Sequence, residues 1–337
     1  MKYNTLGNTG LKVSELCLGT MTFGGRGWWT SIGSLPQQEV NNLVKQALDE
    51  GVNFIDTANV YSEGLSEQMT GKAIQDLGIN RDDLVIATKV RGAMGAGPND
   101  SGLSRKHIIQ QAEASLKRMD TDYIDLYQIH GFDPQTPMEE TMDALDRLVQ
   151  DGKVRYIGCS NLAAWQIMKA NGIATQNQLH KFISLQAYYT IAGRDLEREV
   201  IPMLQDQNIG LMVWSPLAGG LLSGKYGRNK TTEEGRLKNF DFPPVDKEKA
   251  FDIIEQMEKI AQSKNATVAQ IALSWLLHQP ATTSVIIGAN KPAQLQDNLK
   301  SVNIELSREE LKALDEVSRL SPEYPGWMIE RQSADRQ

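Results

Sequence analysis

The sequence predicts an α/β chain wound into a (β/α)8 barrel of the TIM type, with an N-terminal hairpin and extra helices after strands seven and eight. Three observations carry this. Short β-branched runs alternate with stretches of helical periodicity along all 337 residues; that alternation implies a parallel sheet, and a count of eight favours a closed barrel over an open one. No composition break marks a linker, so residues 1–337 read as a single domain. Asp56, Lys89 and His130 end three successive predicted strands, and Tyr61 lies in the loop after the first of them. The strand ends of such a barrel open on one face, where residues far apart in sequence converge on one reacting group.

Each element has its own signal. Residues 3–13, with turn residues Gly7, Asn8 and Gly10, read as a hairpin that could plug the bottom of the barrel. The first strand is predicted at 15–18. A helix over 36–50 follows from Val40, Leu43, Val44, Ala47 and Leu48 at helical spacing, and Gly51 stops it. Strands at 53–56, 84–89 and 124–130 alternate with helices over 66–77 and 104–119. The next helix carries a capping-box pattern, Thr136 to Glu139, with Pro137 at the first helical position, where its missing N–H costs nothing. Strands at 154–160, 182–187, 209–214 and 284–287 complete the eight. Between the seventh and eighth lie a glycine-rich stretch, a charged segment over 225–238 and two helices, the second capped by Thr267 and Gln270. The end holds a helix capped by Ser307 and Glu310, then an irregular tail with Pro322, Pro325 and Trp327.

Composition excludes some functions. A formal charge of -7 argues against nucleic acid or anionic membrane as main partners. No apolar run has transmembrane length and residues 1–7 lack the apolar stretch of a signal peptide, so a cytoplasmic protein is expected. Cys17 and Cys159 each fall in a predicted strand without a Cys or His nearby to complete a zinc site; both read as reduced core residues, and no metal is expected.

A phenol beside an ammonium, a carboxylate and an imidazole can donate a proton to a carbonyl oxygen. Taken singly, Asp56, Lys89 and His130 are as readily a helix cap, a solvated rim lysine and a structural histidine; together at matching strand ends they point to chemistry.

The segment Asp56-Thr-Ala-Asn-Val-Tyr61-Ser-Glu-Gly-Leu-Ser66-Glu67, followed in order by Thr88-Lys89, Gln128-Ile-His130, Gly158-Cys-Ser160-Asn161 and Trp214-Ser-Pro-Leu-Ala-Gly-Gly220, closely resembles the aldo-keto reductase superfamily. The resemblance runs from Gly19, Thr20 and Met21 to Asn298. Within the superfamily, residues 91–105 and 214–226 look like the bacterial aryl-alcohol-dehydrogenase-like and potassium-channel-β-like branches.

The resemblance implies a reversible NADPH-dependent reduction of a small aldehyde or ketone. A free tyrosine, with a pKa of about 10, is a poor acid at neutral pH unless its phenolate is stabilised. Lys89 supplies the charge, Asp56 holds the lysine protonated, and His130 adds a second hydrogen bond at the developing alkoxide. The chain lacks a flavin signature and the Rossmann glycine fingerprint, so the hydride source is expected to be a nicotinamide dinucleotide bound as barrels bind it.

By resemblance, Ser160, Asn161 and Gln186 hold the carboxamide and Trp214 stacks on the ring. Ser215, Pro216, Leu217, Gly219 and Lys225 close around the pyrophosphate. Ile287, Gly288, Ala289, Asn290 and Lys291 lead into a helix start that favours anions, with Lys291 and Gln294 toward a 2′-phosphate and Asn298 toward the adenine. Some relatives have Arg in place of Gln294, which weakens the NADP preference. Trp28, Trp29, Arg91 and Trp327 are candidates for lining the substrate pocket. A redox-sensing regulatory subunit with slow turnover, and a phosphate-binding barrel isomerase or aldolase, are the alternatives. Self-association is left open.

Overall fold

In the computed structural model, which describes residues 1–228, 230, 237 and 240–334, eight parallel strands close into a barrel. Two short strands precede it, β1 (Tyr3–Thr5) and β2 (Lys12–Ser14), paired antiparallel. The barrel strands are β3 (Leu16–Gly19), β4 (Phe54–Asp56), β5 (Val85–Val90), β6 (Ile124–Ile129), β7 (Val154–Ser160), β8 (Phe182–Tyr188), β9 (Gly210–Trp214) and β10 (Thr282–Ile287). Each pairs with the next in sequence, and β10 returns to β3 with Ile287 opposite Leu18.

Helices follow the strands: α1 (Gln37–Asp49), α2 (Leu65–Asp76), α3 (Arg105–Met119), α4 (Met138–Gln150), α5 (Ala164–Gln176) and α6 (Val200–Gln207). After β9 come α7 (Lys247–Lys264) and α8 (Val268–Leu277), and after β10 come α9 (Pro292–Leu299), α10 (Arg308–Ser318) and α11 (Gly326–Ser333). Most of the charged segment expected over 225–238 lies outside the described residues. The tail expected to be irregular is so through Pro325 and then forms α11.

Period-two alternation sorts the strand residues into two cores. Leu18, Ile55, Ile86, Tyr127 and Ile129 face outward and pack with the helices. Cys17, Phe54, Val85, Ala87, Leu126 and Met212 face inward. Continuing the inward rows upward reaches Asp56, Lys89, Gln128 and His130, so the alternation that fills the barrel also aims these polar groups at its upper mouth. Cys17 and Cys159 are buried free thiols.

The lower end is closed by the hairpin. Leu6 and Val13 are fully buried against the inward-facing residues. Gly7 makes this fit possible, because a Cβ there would stand 2.2 Å from the Ile183 carbonyl. The Asn4 side chain donates to the Thr283 carbonyl at 2.8 Å and stitches the hairpin to β10.

Two helices start as their sequences direct. Thr267 and Ser307 accept from the N–H groups of Gln270 and Glu310, while those side chains reach back to the capping residues. The expected box at Thr136 does not form. Asp133 competes for that hydroxyl, taking it at 2.7 Å, and α4 starts after Pro137 without a side-chain cap.

Candidate active site

The loop after β4 sets the tyrosine. The Thr57 N–H donates to the Ala87 carbonyl and the Asn59 N–H to that of Lys89, tying the loop to β5. Directly after Tyr61 the backbone passes through three left-handed residues, Ser62 (φ 50°), Glu63 (φ 55°) and Gly64 (φ 86°), before α2 begins. For the first two this costs roughly 1–2 kcal/mol each. The buried Ser62 hydroxyl offsets part of it by donating to the Phe23 carbonyl at 3.0 Å. The motif's last two residues brace the site from below. Ser66 bonds to Thr20, and the fully buried Glu67 accepts from Thr88 at 2.6 Å while pairing with Arg118 at 2.5 Å. Thr88 immediately precedes Lys89, so this buried pair anchors the strand end that carries the lysine.

Lys89 is fully buried. Its ammonium donates to the Asp56 carboxylate at 2.5 Å, to the Thr57 carbonyl at 2.9 Å and to the Tyr61 hydroxyl at 3.4 Å. The other Asp56 oxygen accepts from Gln186 at 2.8 Å and from Gln128 at 3.2 Å. Burial alone would push the lysine's pKa down; the Asp56 charge and the Tyr61 contact outweigh it and hold the ammonium above its usual value. Gln128 and Gln186 thus support the pair from outside it, a role the sequence reading gave to neither.

His130 faces the tyrosine, ring centroids 5.9 Å apart at 76°. Burial, and then the charges of Lys89 and Arg91, push its imidazole from 6.5 down to about 3, so it is neutral at pH 7. The unfolded imidazole takes a proton near pH 6.5 while the folded one resists until about 3. Between those values the unfolded chain binds more protons, so stability falls as the pH is lowered, by up to about 1.4 kcal/mol per unit. His107, also lowered by burial, adds the same sign. His130→Gln should therefore flatten the decline of unfolding free energy on acidification below pH 6.5, read by urea denaturation. An unchanged slope would mean that His130 protonates freely in the folded protein.

Above this group opens a cavity of about 1010 Å³. Apart from Lys89, which lies beneath it, and Trp327, every residue named from the sequence as a candidate for chemistry, cofactor or substrate lines this one cavity. Trp327 is elsewhere: it sits on α11, exposed, edge-on to Tyr324. The sequence reading missed Phe240 and Phe242. They complete a chain of ring contacts over the cavity, from Tyr61 to Trp29 (5.3 Å), Trp28 (4.9 Å), Phe240 (5.4 Å), Phe242 (5.4 Å) and Trp214 (5.9 Å). Nothing in their irregular, charged surroundings signals a cavity roof.

The donor set around the mouth suits a dinucleotide. Ser160, Asn161 and Gln186, at the ends of β7 and β8, offer hydroxyl and amide groups; Asn161 is itself fixed by the Trp214 indole N–H at 2.9 Å. Lys225 and Lys291, following β9 and β10, offer cations. Between them Gly220 and Gly288 leave open space where side chains would stand, which lets a ligand approach the backbone.

The pattern of the Aldo/keto reductase family matches residues 15–319. A putative voltage-gated potassium channel subunit beta of Schizosaccharomyces pombe is 40% identical, covering 95% of this chain and 94% of its own length. A versiconal hemiacetal acetate reductase of Aspergillus parasiticus is 36% identical over 97% of this chain and 99% of its own. A putative aryl-alcohol dehydrogenase of Schizosaccharomyces pombe is 37% identical over 93% and 95%. The chain belongs to the aldo/keto reductase family. It is an NAD(P)-dependent oxidoreductase of carbonyl compounds. Among the described residues no helix is long and apolar enough to cross a membrane.

Proposed function

We propose that this protein reduces an aldehyde or ketone to the alcohol, reversibly, with NADPH as its cofactor and Tyr61 as proton donor. The observation that carries this reading is the Lys89 ammonium, held between the Asp56 carboxylate and the Tyr61 hydroxyl directly beneath the cavity. A reduced nicotinamide supplies hydride when bound. The rest falls to the chain's own groups. Tyr61 gives its proton to the carbonyl oxygen, and Lys89 stabilises the phenolate left behind. Neutral His130 orients the same oxygen as a hydrogen-bond donor. Gln186 commits its amide N–H to Asp56, which leaves its carbonyl oxygen as the acceptor for a carboxamide. Running the cycle backwards, the phenolate accepts the alcohol's proton. The direct test is an NADPH-oxidation screen over aldehydes, ketones and quinones; failure across the whole panel would reject the reading.

A second reading, a redox-sensing regulatory subunit with slow reductase turnover, is supported by the relatives named as potassium channel β subunits. Slow turnover with tight retention of cofactor would favour it over a dedicated reductase.

The choice of NADPH rests on Lys291, which lines the cavity and is the N-cap residue of α9. There an ammonium and a helix start can both face a dianionic 2′-phosphate, for which NADH has no counterpart. Lys291→Ala should weaken NADPH on the order of tenfold or more while affecting NADH far less. Quenching of tryptophan fluorescence measures both affinities. Equal losses would assign Lys291 a structural role, and a wild-type preference for NADH would overturn the NADPH assignment.

A further inference from the structure

We propose that Arg91 makes this site selective for carbonyl compounds that also carry a carboxylate. The inference rests on the carbonyl-reduction reading and names its substrate class. Arg91 follows the end of β5 and lines the cavity. Its Nε donates to the Phe132 carbonyl at 2.9 Å. Its side chain lies over Gly131, where a Cβ would come 3.5 Å from Cδ. One hydrogen bond and one glycine thus lay the guanidinium down beside His130, with its terminal nitrogens still available.

No carboxylate among the described residues comes within 4.0 Å of those nitrogens. Asp133 lies near enough to feel the Arg91 charge, but its hydrogen bonds go to other donors. Asp133 accepts from the N–H groups of Leu103 and Gln135 and from the Thr136 hydroxyl. Asp56 is held by Lys89 and two glutamines.

The barrel's order also separates Arg91 from the cations offered to a dinucleotide. β5 stands three strands from β10 and four from β9, across the mouth from Lys291 and Lys225. Its charge therefore falls on the half of the cavity where Tyr61 and His130 meet the carbonyl. A planar guanidinium there takes a carboxylate by two parallel hydrogen bonds, and Trp29, with Trp28 edge-on to it, provides an apolar wall for the spacer between the two groups.

The test compares para-carboxybenzaldehyde with its methyl ester, which differ in charge at nearly equal size, as NADPH-dependent substrates of the wild type, Arg91→Met and Arg91→Lys. The wild type should prefer the carboxylate. Arg91→Met should lower kcat/KM for the carboxylate about 10- to 100-fold more than for the ester, chiefly through KM, with Arg91→Lys between. Equal handling of both compounds by the wild type, or an equal loss on both in Arg91→Met, would overturn the proposal while leaving carbonyl reduction intact. Reduction of neither compound, nor of any other in the screening panel, would remove the reading on which it rests.

Discussion

Tyr61→Phe lowers kcat for carbonyl reduction by about 10²–10⁴-fold, the usual contribution of a positioned general acid. The ring stays, so its edge contacts with Trp29 and His130 and the entry into α2 are retained, and the fold is unchanged. What goes is the hydroxyl that Lys89 meets directly. Because the proton moves in the transition state, kcat should fall with kcat/KM, while cofactor affinity measured by fluorescence stays near the wild-type value. A variant retaining wild-type kcat would reject Tyr61 as the donor. A loss confined to KM would recast it as a binding residue.

Lys89→Met should have two separable effects. Without the ammonium the Tyr61 phenolate loses its counter-charge, so alcohol oxidation is suppressed at neutral pH and its pH profile moves about 1–3 units to the alkaline side. The Asp56 carboxylate, only 2% exposed, is also left buried with two amide donors. Removing one partner of a buried ion pair costs roughly 3–5 kcal/mol. The double variant Asp56→Asn with Lys89→Met should recover much of the stability and none of the oxidation near neutral pH. An unchanged pH profile in the single variant would make Lys89 a bystander. A double variant no more stable than the single one would mean that packing, and not charge, accounts for the loss.

The barrel was legible because short β-branched and apolar runs, as in 84–89, alternate with stretches of helical periodicity. The convergence of Asp56, Lys89 and His130 was legible because a polar residue ending such a run has nowhere to go except the mouth. Gln128 carried the same signal, standing two residues before His130 in the inward register, and period two could have placed it inside the barrel with Asp56. Gln186 shows the opposite case: its contact with Asp56 spans 130 residues of sequence, and no local pattern encodes that distance. Thr136 illustrates the limit of a local pattern: its hydroxyl donates to Asp133 and the helix begins one residue later, after Pro137. Phe240 and Phe242 were opaque for a shared reason. An aromatic residue in an irregular segment has no periodicity, and only tertiary placement distinguishes a roof from an exposed surface.

The hairpin at the lower end of the barrel bears on traffic. With Leu6 and Val13 sealed into the floor, nicotinamide, carbonyl compound and alcohol share one doorway at the top. Under the proposed function the proton that Tyr61 gives returns by that route as well, since Lys89 is fully buried. On that reading, reloading of the acid shares its path with the departing alcohol.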